Sequence, residues 1–299
     1  MSFVKRFQTS LESLYALPEN ACYVVAYSGG LDSHVLLHCC KQLKLPMRAV
    51  HIHHGLQTSA DYWVKHCQNT CEELNVPVDV VYVDAQKKRG QSPEEAARIA
   101  RYDALQNSLM PDDCLLTAQH LDDQSETLLL QLFRTASAAG LSGMPGRRRI
   151  GDNIHLRPLL PFTREELEVY AKENFLHWIE DPSNQDVSYD RNFIRKNVLP
   201  LLKDRWPEIA AQLSTVASLQ SNNLRVLEDM AAIDLANVVH PLPLHGKTSV
   251  YEVISVLSIA RLKQLTSARL VNVLRYWVRL VLSDTSEDDR ATKNSPTRK

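Results

Sequence analysis

The chain of 299 residues has no run of about 18 or more apolar residues, so no part of it reads as a membrane-spanning helix. Its six cysteines (Cys22, Cys39, Cys40, Cys67, Cys71 and Cys114) form no C-x-x-C pair, which argues against a zinc site or a redox thiol pair. They fall in segments that read as core strands and helices, so buried thiols are expected rather than disulfides. G-x-x-x-x-G-K-S/T and G-x-G-x-x-G are both absent, which excludes a Walker-type nucleotide loop and a nicotinamide-binding fingerprint. An excess of charge of either sign is missing too. Lys and Arg number 34, Asp and Glu 35, and the net charge of −1 on its own speaks against a basic nucleic-acid-binding surface. The segment Met1–Pro18 carries Lys5, Arg6 and Glu12 among its apolar residues and lacks the core of a signal peptide, so a cytoplasmic chain is expected. No internal repeat is visible.

What is present is a globular composition, 44% apolar and 23% charged, which excludes a disordered or fibrous chain. The length suggests about two domains. Short apolar runs alternate with helical patterns over the first half: strands at Cys22–Tyr27, Met47–His53, Val76–Val83 and Asp113–Thr117, and helices at Asp32–Lys44, Ala60–Leu74, Pro93–Leu109 and Asp123–Ala136. Ser92 and Glu95 make a capping box for the helix that starts at Pro93. This alternation predicts an α/β domain with a parallel sheet covered on both faces, binding its ligand at the carboxyl ends of the strands. After Ala136 the texture changes. A loop punctuated by Gly140, Gly143, Pro145 and Gly146 leads into Arg147, Arg148 and Arg149. A short strand (Asn153–Leu159), a helix (Arg164–Asn174), a loop around Asp181–Asn184 and a helix over Tyr189–Leu202, bent or ended by Pro200, come next. An amphipathic pattern over Trp206–Asn237 and helices near Val250–Leu257 and Thr266–Leu282 make the rest mostly helical. Ser283–Lys299 holds one apolar residue, Ala291, and reads as a disordered tail. The expected division is 1–205, 206–282 and the tail 283–299.

The strongest chemical signal is Ser28-Gly29-Gly30-Leu31-Asp32-Ser33, between the first strand and its helix. Two glycines let the backbone turn tightly against a ligand. Its N–H groups, backed by a helix N-terminus, make an anion site, and Ser28 and Ser33 add hydroxyl donors. Asp32 would repel bare phosphate, which points to Mg²⁺ or to reaction chemistry at that position. Four further blocks accompany the loop. His51-Ile52-His53-His54-Gly55-Leu56 closes the second strand; His51 and His53 share a face and suit a nucleotide-binding strand end, with metal ligation as the alternative. Glu94–Tyr102 puts Glu94, Arg98 and Arg101 on one helix face. His120-Leu121-Asp122-Asp123-Gln124-Ser125-Glu126-Thr127 brings acids together at i, i+3 and i+4 beyond the fourth strand, where they suit Mg²⁺ or a substrate ammonium. Asp181-Pro182-Ser183-Asn184 precedes Tyr189–Arg195, in which Arg191 and Arg195 project from one face. Over 191–205 five basic residues (Arg191, Arg195, Lys196, Lys203, Arg205) face one acid, Asp204, so the near-zero total hides a locally basic stretch.

The loop resembles that of the PP-loop ATP pyrophosphatase superfamily, and the blocks in this order are similar to the tRNA(Ile)-lysidine synthetase family over about residues 20–205. Trp206–Leu282 resembles more loosely the family's helical linker and the start of its recognition domain. The resemblance implies a PP-loop ATPase domain of the adenine nucleotide alpha-hydrolase type with a mostly helical C-terminal domain. It implies a ligase that adenylates C2 of the wobble cytidine of tRNA(Ile) with a CAU anticodon and then joins L-lysine to it, using ATP and Mg²⁺. It implies Ser28, Gly29, Gly30, Leu31, Asp32, Ser33, His51 and His53 at ATP, with Asp32 also near Mg²⁺. Asp32, Asp123 and Glu126 are the implied catalytic residues, the last two holding lysine and accepting its proton. His120, Arg191 and Arg195 would meet lysine or phosphate. Arg147, Arg148 and Arg149 are candidates for tRNA backbone contacts, a solvated basic turn being the plainer reading. Other readings are a thiolating PP-loop tRNA enzyme and a nucleotide-binding module without turnover. Many family members continue into further C-terminal domains, so a short form or a truncated chain is expected. The oligomeric state is not fixed, and a homodimer is compatible with the sequence.

Overall fold

A computed structural model of the chain describes residues 1–19, 21–53, 60–83, 93–134, 137–240 and 256–293. The chain divides into two compact units, Met1–Ser218 and Leu219–Lys299.

The first unit opens with helix α1 (Phe3–Leu14), capped by Ser2 and burying Phe7 and Leu11. Then β1 (Tyr23–Ala26), α2 (Leu31–Gln42), β2 (Met47–His53), α3 (Ala60–Glu73), β3 (Val78–Tyr82), α4 (Pro93–Asn107), β4 (Cys114–Leu116) and α5 (Leu121–Phe133) alternate as the apolar pattern predicts. Ser92 of the expected capping box and His54–Leu56 lie outside the described residues. A short helix α6 (Ala138–Leu141) leads to β5 (Arg147–Ile150) and β6 (Asn153–Leu156), and α7 (Arg164–Glu173) follows, started by a capping box between Thr163 and Glu166.

The sheet order is β3-β2-β1-β4-β6-β5, with every pairing parallel except that of β5 with β6. β1 is flanked by β2 on one side and β4 on the other, so the connections leave it in opposite directions and open a crevice at its carboxyl end. Val24 and Val25 alternate across the sheet. Val25 joins the larger core with Phe7, Leu36, Cys39, Cys67, Leu159 and Phe162; Val24 joins Val50, Leu105, Leu115 and Ile150 under α4. All six cysteines are free and five are buried, as small apolar residues of these cores. Complete burial of Leu36 and Leu37 contributes about 2 kcal/mol each.

Three expectations change. Arg147–Arg149 are not loop residues: they form the edge strand β5, with Arg148 paired to His155 of β6. Edge strands favour charged side chains because these discourage further pairing. Second, Pro200 does not end the helix. α8 (Asp190–Phe193), a π-turn (Ile194–Val198) and α9 (Leu199–Arg205) run on without a gap. Pro200 has no N–H to give the preceding turn, and the π-turn widens the helix around that missing bond. Third, Val256–Leu257 of the expected helix near Val250–Leu257 is a short strand, β8. It pairs with β7 (Val239–His240), and the rest of that helix lies outside the described residues.

The long amphipathic stretch is α10 (Ile209–Val238), which runs across the division between the units. The second unit adds α11 (Ile259–Leu262) and α12 (Ser267–Lys293). Asp234, almost fully buried, accepts both Nε and Nη2 of Arg269, so its charge is matched inside the unit. Composition suggested disorder from Ser283, whereas the backbone is helical to Lys293. Extending an existing helix avoids the cost of nucleating one.

Candidate functional site

The crevice at the carboxyl ends of β1, β2 and β4 is an open cleft of about 1230 Å³. Its floor is the loop after β1. Gly29 turns with φ +82°, and a Cβ there would lie 2.9 Å from Cys67 Sγ of α3, so only glycine fits. Gly30 caps α2, whose N-terminus faces the cleft. Ser28 and Ser33 hold the loop closed: their hydroxyls are 3.0 Å apart, and Ser33 Oγ also accepts the Ser28 N–H and reaches Gly30 O. The Ile179 N–H donates to Gly29 O at 2.9 Å and braces the loop from outside.

Asp32 leaves the first turn of α2 and points across to β4. Its Oδ2 is 3.7 Å from His120 Nε2 and 3.7 Å from Arg164 Nη1, while its Oδ1 is buried without a hydrogen-bond partner. Burial raises its pKa, offset in part by His120 and Arg164. His120 caps α5 and is almost fully buried among Asp32, Asp122 and Asp123. Burial works against its charge, but the three carboxylates, Asp123 foremost, outweigh burial and raise its pKa. Asp122 turns away from the cleft to take Lys203 and the Arg164 N–H; against burial, His120 first and then these two hold its carboxyl well below the usual range.

Asp123 and Glu126 meet Arg191 and Arg195 in a closed quartet. Glu126, fully buried, accepts Arg191 Nε at 2.7 Å and Arg195 Nε and Nη2 at 2.6 and 2.9 Å. Asp123 Oδ1 accepts Nη2 of both arginines at 2.9 and 3.2 Å. Against burial, His120 and the two arginines keep Asp123 below the usual carboxylate range. The spacing that brings these acids together therefore serves internal arginines first. Asp123, Arg191 and Arg195 line the cleft; Glu126 and His120 lie behind them. Glu126 is thus not open to a substrate ammonium, contrary to the sequence expectation, because it is fully buried and both its oxygens accept from guanidinium groups.

His51 and His53 both line the cleft. His51 Nδ1 is 2.9 Å from Tyr27 O and 3.4 Å from Cys67 Sγ, and burial lowers its pKa. His53 stands 3.4 Å from Asp61 and packs on Tyr82. Neither belongs to a metal-type cluster among the described residues.

The arginine triplet divides by strand alternation. Arg147 and Arg149 are exposed on one face, Arg147 over the Tyr15 ring. Arg148 turns to the other face and into the cleft, stacked 4.8 Å over Tyr102 and donating to His155 Nδ1 at 2.9 Å. The three do not form one patch. Nor is 191–205 an open basic face, since Arg191, Arg195 and Lys203 are spent on buried acids.

Sequence reasoning missed Arg157, Arg164 and Gln119. Arg157, the residue after β6, is nearly buried and donates to Pro145 O and Gln119 Oε1 while lining the cleft. Gln124 pins the glycine-rich loop by a two-way bond to the Met144 backbone, and Gly143 turns with φ +63° against it. For Gln119 and Arg157 the position shortly after a strand end was the available signal; Arg164 opens α7 and had none.

The PP-loop domain family matches residues 3–202. The chain is similar to the tRNA(Ile)-lysidine synthase of Methylococcus capsulatus, 48% identical over 227 residues, which cover 74% of this chain and 52% of that protein. It is also similar to the tRNA(Ile)-lysidine synthase of Pseudomonas fluorescens, 44% identical over 259 residues, 85% of this chain and 57% of that protein. The chain therefore spans little more than half the length of these curated relatives. Among solved structures it is similar to the U34-tRNA thiolase NcsA from Methanococcus maripaludis, with a TM-score of 0.62 at 15% identity over 73% of this chain and 78% of that one, a likeness of fold. No helix among the described residues is long and apolar enough to cross a membrane.

Proposed function

We propose the following function for a chain that belongs to the PP-loop domain family: it uses ATP to adenylate O2 of the wobble cytidine of tRNA(Ile) with a CAU anticodon, then ligates L-lysine to C2, giving lysidine. The observation that carries this reading is the meeting of the phosphate loop with the β4 end, where Asp32 stands 3.7 Å from His120 beside Asp123 and two arginines. The names of the relatives support the choice of substrate.

In the first step O2 of cytosine attacks the α-phosphorus of ATP and pyrophosphate leaves. The loop N–H groups, the α2 N-terminus and the Ser28 and Ser33 hydroxyls take the departing negative charge. The unpartnered Oδ1 of Asp32 suits Mg²⁺, which prefers one or two carboxylates together with phosphate oxygens and would neutralise their charge. In the second step the lysine ε-amine attacks C2 and AMP leaves, so the amine must first lose its proton. Asp123, anionic at neutral pH and facing the cleft, holds the ε-ammonium; its lowered pKa makes it a poor final acceptor, so the proton passes to solvent in the open cleft. Arg191 and Arg195 face the lysine α-carboxylate or the phosphates, and Glu126 acts as the brace that fixes both guanidinium groups. His51 and His53 line the end of the cleft where adenine would sit. Arg147 and Arg149, together with the helical part from residue 206 onward, are the surfaces offered to tRNA.

Pyrophosphate release should require ATP and this tRNA, and AMP should be released only when L-lysine is present as well, with lysidine found on nucleoside analysis. Release of AMP that does not depend on lysine overturns the reading.

A further inference from the structure

Gln119 lies directly before His120, at the end of β4, and its side chain lines the cleft while that of His120 turns inward. Behind it runs a chain of hydrogen bonds whose directions can be worked out from two obligate donors. Arg148 Nε can only donate, so His155 Nδ1, 2.9 Å away, is an acceptor and carries no proton. Burial, with Arg157 and Arg148 close by, pushes the His155 pKa down to about 2, so the ring is neutral and its proton is on Nε2. Nε2–H therefore donates to Thr117 Oγ1 at 2.6 Å. The Thr117 hydroxyl, having accepted, donates onward to Gln119 Oε1. Arg157 Nε, the second obligate donor, also reaches Gln119 Oε1, at 3.2 Å. The oxygen of the Gln119 amide is thus held from behind by two donors, and the amide cannot flip without setting its NH₂ against the Arg157 N–H.

We infer that Gln119 is a specificity-determining residue that presents its Nε2 donors to the cleft and reads the N3 acceptor of the target cytosine, rejecting uracil, whose N3 carries a hydrogen. This inference rests on the proposed function. The phosphate loop and Asp32 fix where the α-phosphate sits, and His120, the next residue after Gln119, is in contact range of Asp32. O2 of the base must reach that phosphate, which brings the neighbouring ring atom N3 to the residue beside it. A neutral amide set among arginines suits a neutral ring edge, whereas a carboxylate or phosphate would be met by Arg191, Arg195 or Arg148. Arg148, stacked over Tyr102 and lining the cleft, has a guanidinium plane that suits a planar base. A site built to hydrogen-bond a substrate group strongly disfavours an analogue that lacks it.

The test compares wild type and Gln119→Ala on tRNA carrying cytidine or 3-deazacytidine, in which N3 is replaced by C–H, at the wobble position. Lysine-dependent AMP release is the readout. Wild type should lose kcat/KM by about tenfold to a hundredfold on the deaza substrate. Gln119→Ala should lose a similar factor on cytidine, show little further loss on the deaza substrate, and keep the ATP KM. Thr117→Val, which breaks the chain behind the amide without touching the base, should shrink the cytidine-to-deazacytidine ratio part of the way; it also serves if Gln119→Ala fails to fold. The wild-type ratio surviving in Gln119→Ala, or in Thr117→Val where the first variant does not fold, overturns the inference and leaves the proposed function standing. Wild-type AMP release that depends on neither lysine nor tRNA overturns the proposed function, and the inference with it.

Discussion

Replacing Glu126 by glutamine keeps the shape of the side chain and removes one charge from the centre of the quartet. The carboxylate accepts three hydrogen bonds from two guanidinium groups, at 2.7, 2.6 and 2.9 Å, and is itself fully buried. An amide offers one acceptor oxygen, and its NH₂ must face an arginine N–H, so at least one charged bond is lost and replaced by a donor–donor contact. A charge-assisted bond of this kind contributes about 1.5–3 kcal/mol, and breaking one partner of a buried pair costs about 3–5 kcal/mol. The arginines are not sealed off, with side chains 32% and 28% exposed, so water recovers part of that loss. Asp123 remains to balance one of the two positive charges. The expected destabilisation is about 2–4 kcal/mol, which for a unit of this size lowers the unfolding midpoint by roughly 5–15 °C. Thermal unfolding followed by circular dichroism measures it. Lysine-dependent AMP release should fall as well, through loss of arginine positioning, while any acidic limb of the pH–rate profile keeps its midpoint. A loss of stability under about 1 kcal/mol would refute the claim that Glu126 is the brace of the quartet. An acidic limb displaced by the substitution would return Glu126 to the role of base.

Gly29→Ala forces a side chain into a positive-φ position 2.9 Å from Cys67 Sγ, so ATP KM should rise severalfold and stability fall by about 1–3 kcal/mol. Adding Cys67→Ala should relieve the steric part but not the backbone strain; full recovery in the double variant would show that φ does not matter there. His34, whose Nδ1 meets His177 O at 3.0 Å, is pushed down by burial to about 4, so the unfolded chain binds its proton first. Its contribution is complete above pH 6.5 and is lost between pH 6.5 and 4, on the order of 3 kcal/mol. His34→Asn, which keeps a donor for His177 O, should flatten the fall of the unfolding midpoint over that window, and an unchanged slope would count against it. For tRNA, Arg147→Ala with Arg149→Ala should reduce the salt dependence of binding by about two phosphate equivalents, and Arg148→Ala should leave the slope alone. Equal effects from all three would restore the single basic patch.

Much of the first unit could be read from the residues in order. The apolar runs from Tyr23 and Cys114 are strands because a fully covered parallel strand is apolar on both faces, and those from Met47 and Val78 pair beside them with more exposure towards the sheet edge. Ser28–Ser33 announces an anion loop because its geometry is local: two glycines, two hydroxyls and a helix start within six residues. The same locality explains the failures. Arg147–Arg149 looks like a basic turn in one dimension, but the edge-strand pairing with β6 sends its middle member to the opposite face. Gln119 carries no signature at all, because its orientation is set by Arg148, His155 and Arg157, residues 29 to 38 positions later in the chain.

The sequence by itself determined the four parallel strands β1 to β4 as elements, the phosphate loop and the acids that follow β4, since each depends on side chains a few residues apart. Charge was the feature it could not settle, either as a total or as a local excess. The run of basic residues from Arg191 looks free to meet RNA until the tertiary structure sets Arg191 and Arg195 against Asp123 and Glu126 and Lys203 against Asp122. Those partners lie 65 to 81 positions away. Burial decides such pairings, because a charge taken out of water must find its opposite wherever the fold brings one, and distance along the chain plays no part in that.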